Sequence, residues 1–398
     1  MIVAVSGGGD SMALLHLARD WGQGAGVAVE AVTVDHGLRP EAADEARMVA
    51  GVCDGLGVRH DTLQWRRESG GGNLQSAARA ARYDLIAAHV GTRPGACIVL
   101  LGHTADDVAE TFLMRLARGS GVDGLARMRG DWTDRGVRWL RPLLDVRREA
   151  LRDVLRERGV GWVEDPSNED ERFDRVKARG ALEALAPLGL GVERLTTTAA
   201  QQAVAREALE HWAAEAAARV ARVEAGDVVF DQGALDALPD ETRDRLLAHA
   251  IMWVSGATYR PRHDALTAVQ AGLRGGGRAT LGGCLLSARS DQLRVAREPG
   301  AVATLTAPLG TAWDGRWQIR PPEGTTGEGL TVRALGEAGL SACPDWRDSG
   351  LPRTSLLASP AVFSGDTLIA APLAGVSEGY SAELGPQRGD FVAALLSR

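Results

Sequence analysis

The chain has 398 residues, 45% hydrophobic and 24% charged, the proportions of a soluble globular protein with room for two to three domains at about 150 residues each. Its 49 glycines follow no Gly-x-y period, which excludes collagen, and the apolar content excludes a chain that is disordered throughout. A formal net charge of −7 excludes a uniformly basic nucleic-acid coat but allows local basic stretches.

Ile2-Val3-Ala4-Val5 predicts a short strand before a glycine-rich turn, and Ser11 to Asp20 predicts a helix with Met12, Leu15 and Leu17 on its apolar faces. Val27 to Val34 reads as a strand. Pro40 to Leu56 reads as a helix with proline inside its first turn. His60 to Trp65 (strand), Leu74 to His89 (helix), Ile98 to Leu101 (strand) and Ala105 to Arg118 (helix) follow. Strands alternating with helices predict an α/β fold with a doubly wound, mostly parallel sheet. The nearly all-apolar strands suit a sheet covered on both faces. Asp145 to Arg158 predicts another helix, then a loop from Trp162 to Asn168. Pro187 and Leu188 to Gly191 mark a boundary. Val192 to about Val223 and Asp240 to Val254 predict helices, Arg278 to Cys284 with Gln292 to Ala296 a hairpin, and Trp313 to Ile319 and Ala361 to Ala371 strands. The expected organisation is a catalytic domain over 1–187, a helical segment ending in a β-hairpin over 188–300, and a small β-rich domain over 301–398.

Cys53, Cys97, Cys284 and Cys343 are scattered and form no CxxC, which argues against a disulfide framework or zinc site and suits a reducing cytoplasm. No apolar run approaches the roughly 18 residues of a membrane span. The apolar start lacks a positive leader and is interrupted by Gly7-Gly8-Gly9-Asp10, so no targeting segment is expected. Lys177 is the only lysine, so a mechanism that needs a phosphate-binding or Schiff-base lysine has one candidate.

Ser6-Gly7-Gly8-Gly9-Asp10-Ser11 lies between a predicted strand and helix. Glycines let the backbone turn tightly, and successive N–H groups at a helix N-terminus make an anion site. Ser6 and Ser11 add hydroxyls. The loop has neither the spacing nor the Lys-Ser/Thr ending of a Walker A motif. Asp10 is acidic within an anion site, so it either holds Mg²⁺ against a triphosphate or caps the following helix. Downstream, Gly102-His103-Thr104-Ala105-Asp106-Asp107-Val108-Ala109-Glu110-Thr111 runs from strand into helix. Asp107 and Glu110 share a helix face and suit a cationic substrate. The alternative is an acidic first turn that complements the helix dipole, which suits Asp106 better than Glu110. Asp35 and His36 close the second strand on the ligand edge, where His36 could equally be a satisfied loop histidine. Arg79 and Arg82 recur at i, i+3 and could form a solvated face.

The hexapeptide resembles the SGGxDS pyrophosphate loop of the N-type ATP pyrophosphatases, which split ATP into AMP and pyrophosphate. With Asp35-His36-Gly37-Leu38-Arg39, the Gly102 to Thr111 motif, and Trp162 to Asn168 followed by Arg172, Arg175 and Arg179, residues 1–185 resemble the tRNA(Ile)-lysidine synthetase family. The resemblance implies that ATP with Mg²⁺ adenylates O2 of the wobble cytidine in the CAU anticodon of tRNA(Ile). Free L-lysine then attacks C2 and displaces AMP. It further implies catalytic roles for Asp10, Asp35, His36, Asp107 and Glu110, with Asp10 as the metal ligand. ATP binding falls to Ser6, Gly7, Gly8, Gly9, Asp10, Ser11, Arg82 and His103. Lysine binding falls to Asp107 and Glu110, and tRNA binding to Arg79, Arg141, Arg172, Arg175 and Arg179. Monomer and dimer both stay open, and no membrane partner is expected. The family's RNxxR tail is altered, since Val176 follows Arg175, and the role of that asparagine is not carried over. Two stretches carry excess positive charge for tRNA phosphates, Arg115 to Arg148 and Arg260 to Glu298. The competing readings are a PP-loop tRNA thiolase, against which the missing CxxC counts, and a non-catalytic nucleotide-binding module.

Overall fold

The computed structural model describes residues 1–37, 42–66, 74–93, 97–164, 174–385 and 389–396. Contacts divide the chain into two units, Met1–Glu207 and Ala208–Arg398.

In the first unit β1 (Ile2–Ala4), β2 (Glu30–Asp35), β3 (Arg59–Gln64) and β4 (Ile98–Leu101) are parallel and alternate with α1 (Gly9–Ala25), α2 (Ala42–Leu56), α3 (Leu74–Gly91) and α4 (Ala105–Leu116). After the short α5 (Val122–Leu125) come β5 (Asp131–Asp134) and β6 (Val137–Leu140), then α6 (Arg148–Glu157), α7 (Asp174–Leu185) and α8 (Val192–Val220). The sheet order is β3-β2-β1-β4-β6-β5, all parallel except β5 at the edge. Alternation along the strands explains the two cores. Val3, Val5, Ala31 and Leu100 pack with Met12, Leu15, Val49, Leu151 and Leu155. Ile2, Val32, Val99 and Leu101 pack with Ile86, Val90 and Trp139 on the opposite side. Both faces are covered, so both must be apolar, as the sequence predicts.

The β5–β6 hairpin is the main departure of this unit from the predicted elements. Its two-residue turn places Arg135 and Gly136 at φ 54° and 73°, the primed geometry that matches strand twist. It delivers Trp139 into the core against Tyr83, ring centroids 4.7 Å apart.

In the second unit, the carboxyl half of α8 packs its alanines with α10 (Asp240–Ser255) and a five-stranded sheet. The sheet runs β7 (Ala221–Glu224), β8 (Asp227–Asp231), β11 (Gln292–Arg297), β10 (Cys284–Arg289), β9 (Arg278–Leu281), with α9 (Gln232–Asp236) and α11 (His263–Leu273) in the connections. The middle of the chain is therefore more than helices and one hairpin. The α8 helix stops at Val220 rather than Val223, because Ala225 and Gly226, at φ 47° and 80°, fold the chain back into β8. Likewise the predicted hairpin is a three-stranded meander turned at Gly282-Gly283. Beyond it lie a four-stranded and a two-stranded antiparallel sheet. Ala361 to Ala371, predicted as one strand, is a hairpin of Pro360–Ser364 and Thr367–Ala370. The predicted Trp313 to Ile319 strand is narrower, Trp317–Arg320.

Candidate active site

The sheet order reverses between β1 and β4, so the segments leaving their carboxyl ends diverge and leave a crevice where α/β folds bind ligands. Ser6 to Gly9 leaves one end and Gly102 to Thr104 the other. Gly7 sits at φ 87°, a conformation that a side chain disfavours. Gly102 is required by close approach: a Cβ there would lie 3.1 Å from Ser11 Cα and 3.2 Å from the Asp10 carbonyl. Ser11 closes the loop. Its hydroxyl donates to the Gly8 carbonyl (2.9 Å) and accepts from the Ser6 N–H (3.1 Å). The Gly7 carbonyl accepts from the Val163 N–H at 3.0 Å, which ties the Trp162 segment to the loop. The N-cap of α1 is Gly8, with no side-chain cap, so the first N–H groups of α1 point into the crevice end without an intrahelical acceptor.

Facing this helix end is a carboxylate cluster built around one arginine. Thr104 caps α4 in a capping box with Asp107, whose Oδ2 accepts from the Thr104 N–H (2.9 Å) and hydroxyl (3.0 Å). Its other oxygen, Oδ1, accepts from Arg148 Nη2 at 3.3 Å. Arg148 also donates through Nη1 to Glu110 Oε1 (3.1 Å) and through Nε to Asp10 Oδ2 (3.0 Å). Glu110 Oε1 accepts a second bond, from Arg179 Nε at 2.7 Å. Asp106, predicted to serve the dipole of its own helix, reaches across instead. It accepts the backbone N–H of Arg148 (2.7 Å) and the Arg147 guanidinium (3.3 Å). Arg148, Asp106 in this role and Gln64 are the site residues that the sequence reading missed.

Within this cluster two buried carboxylate oxygens lack a hydrogen-bond partner among the described residues, Asp10 Oδ1 and Glu110 Oε2. Burial pushes the Asp10 carboxyl above its usual range, with Arg148 offsetting only part. Burial opposes the charge of Asp107 too, but Arg148, the Thr104 N–H and Arg175 outweigh it and hold that carboxyl low.

The opposite side of the crevice is cationic. Burial, Arg141, Arg79 and Arg175 push the His103 imidazole down to about 3, against the pull of Asp107. His36 is held low by burial and by Arg82. Each of these histidines keeps a buried, unpartnered Nδ1. Arg82 is pressed by burial and by the charges of Arg79 and Arg175. Arg79 and Arg175 are exposed, whereas Arg141 is buried, its guanidinium 4.0 Å from the Trp132 ring centroid and donating to the Arg129 carbonyl at 2.6 Å. Asp35 is buried with both oxygens engaged, Oδ1 by the Gly37 N–H (2.8 Å) and Oδ2 by Gln64 (3.0 Å). Arg172 and the Asp165 to Asn168 part of the third motif lie outside the described residues.

A neutral His103 makes a pH prediction. Below its ordinary pKa near 6.5 the unfolded chain takes up a proton that the native residue refuses. Its stabilisation is therefore complete above pH 6.5 and is lost as pH falls toward about 3. The gap in unfolding free energy between wild type and His103→Asn, measured by calorimetry at pH 7.5 and 5, should change at up to about 1.4 kcal/mol per pH unit below 6.5, to the detriment of wild type. A pH-independent gap would show that His103 titrates normally.

The first 185 residues match the family model described as a PP-loop domain. A tRNA(Ile)-lysidine synthase of Ruegeria pomeroyi is 50% identical over 99% of this chain and 93% of its own length. The chain belongs to the tRNA(Ile)-lysidine synthase family. Lysidine synthases of Hyphomonas neptunium (38% identical, 77% of this chain, 84% of that protein) and Bradyrhizobium sp. BTAi1 (39%, 75% and 90%) are similar as well. A solved U34-tRNA thiolase from Methanococcus maripaludis with its [4Fe-4S] cluster resembles it at a TM-score of 0.43 and 15% identity, over 50% of this chain and 68% of that one.

In this member of the lysidine synthase family the first basic stretch is largely neutralised. Arg118 pairs with Asp174, Arg127 with Asp145, Arg135 with Asp84, and Arg138 with Asp131. In the second stretch Arg294 and Arg297 are paired, while Arg262, Arg274, Arg278 and Arg289 are exposed without a carboxylate partner among the described residues. Lys177 is exposed on α7 between Arg175 and Arg179. Burial pushes the Cys53 thiol up to about 11 and Cys284 to about 12, which makes both poor sulfur nucleophiles. No helix among the described residues is long and apolar enough to cross a membrane.

Proposed function

We propose that this enzyme ligates free L-lysine to C2 of the wobble cytidine in the CAU anticodon of tRNA(Ile), using ATP and releasing AMP and pyrophosphate. The observation that carries the lysine half is Glu110 Oε2, a buried carboxylate oxygen without a donor, set in an acidic cluster beside the phosphate loop. An ammonium group supplies such a donor, and its hydrogen bond to a carboxylate is charge-assisted.

The chemistry needs a leaving group, because the cytidine O2 cannot depart from C2 unaided. Adenylation makes it part of AMP. The uncapped N–H groups of α1 suit the charge of the departing pyrophosphate. Mg²⁺ commonly takes one or two carboxylates plus substrate phosphates, and the unpartnered Asp10 Oδ1 beside the phosphate loop fits that donor set. When bound, the ion would neutralise phosphate charge. Arg82, His36 and His103 line the cationic side, where a triphosphate would relieve the mutual repulsion of Arg79, Arg82 and Arg175. Arg79 and Arg175 on α3 and α7 are the tRNA contacts of this reading, together with Arg172, whereas Arg179, expected among them, is engaged by Glu110. Arg141, already engaged by Trp132 and Arg129, contributes charge from behind His103. Asp35 holds the turn that presents His36.

The test is incorporation of radiolabelled lysine into a tRNA(Ile) transcript with a CAU anticodon. ATP-dependent incorporation that disappears when the wobble cytidine is replaced is expected. Pyrophosphate release with tRNA but without lysine incorporation would overturn the lysine assignment in favour of another adenylating modification, thiolation first.

A further inference from the structure

Arg148 occupies a position that its own helix disfavours. It is the first residue of α6, where the helix dipole repels a cation. It is held there by Asp106, which accepts its backbone N–H. From that anchor the planar fork of the guanidinium reaches Asp10 on α1 and Asp107 and Glu110 on α4. Asp10 belongs to the phosphate end of the crevice, and Asp107 with Glu110 to the amine end. Each end retains one unpartnered carboxylate oxygen. Among the described residues, the three carboxylates share two directly paired arginines, Arg148 with all three and Arg179 with Glu110.

We propose that Arg148 is a positioning residue that couples the two halves of the site. It stands in for the incoming cations, clamping the carboxylates of α1 and α4 together, and it releases part of that set when nucleotide occupies the phosphate end. A metal ion at Asp10 repels a guanidinium 3.0 Å from the same carboxylate, while phosphate oxygens offer the arginine a new acceptor. As Arg148 turns toward the phosphates, Asp107 Oδ1 and Glu110 Oε1 lose a cationic partner, and the amine end gains affinity for an ammonium. Nucleotide and lysine then bind with positive coupling, which by linkage works equally in both directions. This inference rests on the reading that Asp107 and Glu110 receive the lysine amine.

The experiment is calorimetric titration of L-lysine into the full chain, with and without Mg²⁺ and α,β-methylene-ATP, which cannot be split at the reacting bond. In wild type the nucleotide analogue is expected to tighten lysine binding about tenfold. In Arg148→Gln the two titrations are expected to agree within about twofold, with lysine bound without nucleotide at least as tightly as by wild type. Arg148→Lys keeps the charge but not the three-way fork, so it guards against loss of the fold, and its coupling is expected to fall below about threefold. Wild-type coupling in either variant, or none in wild type, overturns the proposal. Failure of the underlying reading looks different: lysine affinity, with or without nucleotide, would be unchanged in Glu110→Gln.

Discussion

Glu110→Gln is expected to lower lysidine formation by about a hundredfold or more while leaving ATP binding within about threefold of wild type. The side chain is 1% exposed and accepts from two arginines through Oε1 alone. Glutamine keeps the shape but removes the charge that pairs with Arg148, Arg179 and the lysine ammonium. Truncating one partner of a buried, hydrogen-bonded charge pair costs about 2–5 kcal/mol, and a hundredfold is about 2.7 kcal/mol. Asp107→Asn should add to the loss with little cost in folding, because an asparagine oxygen can still accept from Thr104 in the capping box. The assay pairs lysine incorporation into tRNA with binding of the nucleotide analogue. Undiminished incorporation in the double variant would remove both residues from the amine site.

Gly102→Ala should damage the other half. Its Cβ would meet the backbone of Asp10 and Ser11 at 3.1–3.2 Å, and no flexible side chain is there to yield. Either β4 or the phosphate loop must shift. Overpacking of this kind costs about 1–3 kcal/mol in stability, and displaced N–H groups should weaken nucleotide binding by more than tenfold. Gly8→Ala is the informative contrast for folding. Its nearest neighbour would be Ser6 Oγ at 3.7 Å, and its φ of −72° suits any residue, so its melting temperature should match wild type. Gly102→Ala with wild-type stability and nucleotide affinity would show that the loop is not held by this contact.

The parallel sheet was legible because its strands are short apolar runs between helical patterns, and the phosphate loop because its glycines fall at the strand-to-helix turn. The hairpins at Arg135-Gly136 and Ala225-Gly226 were not. Each turn puts a non-glycine residue at positive φ, and neither carries the Asn-Gly or Asp-Gly signal of such turns. The acidic pair on α4 was legible in kind but not in detail. Which of two adjacent aspartates caps its own helix and which reaches α6 depends on how α4 is rotated at its first turn. Arg148 was illegible for a different reason. It lies 138 residues from Asp10, one of many arginines in a basic stretch, and only the meeting of α1, α4 and α6 at one sheet edge gives it its partners.

The solitary Lys177 has a practical consequence. Apart from the amino terminus, it is the only primary amine in the chain. An amine-reactive reagent therefore has only two targets on the chain, and the exposed Lys177 is one of them. A fluorophore can thus be attached, without any substitution, to the exposed face of α7 between Arg175 and Arg179. The wild-type polypeptide can report the arrival of RNA on that helix by a change in emission.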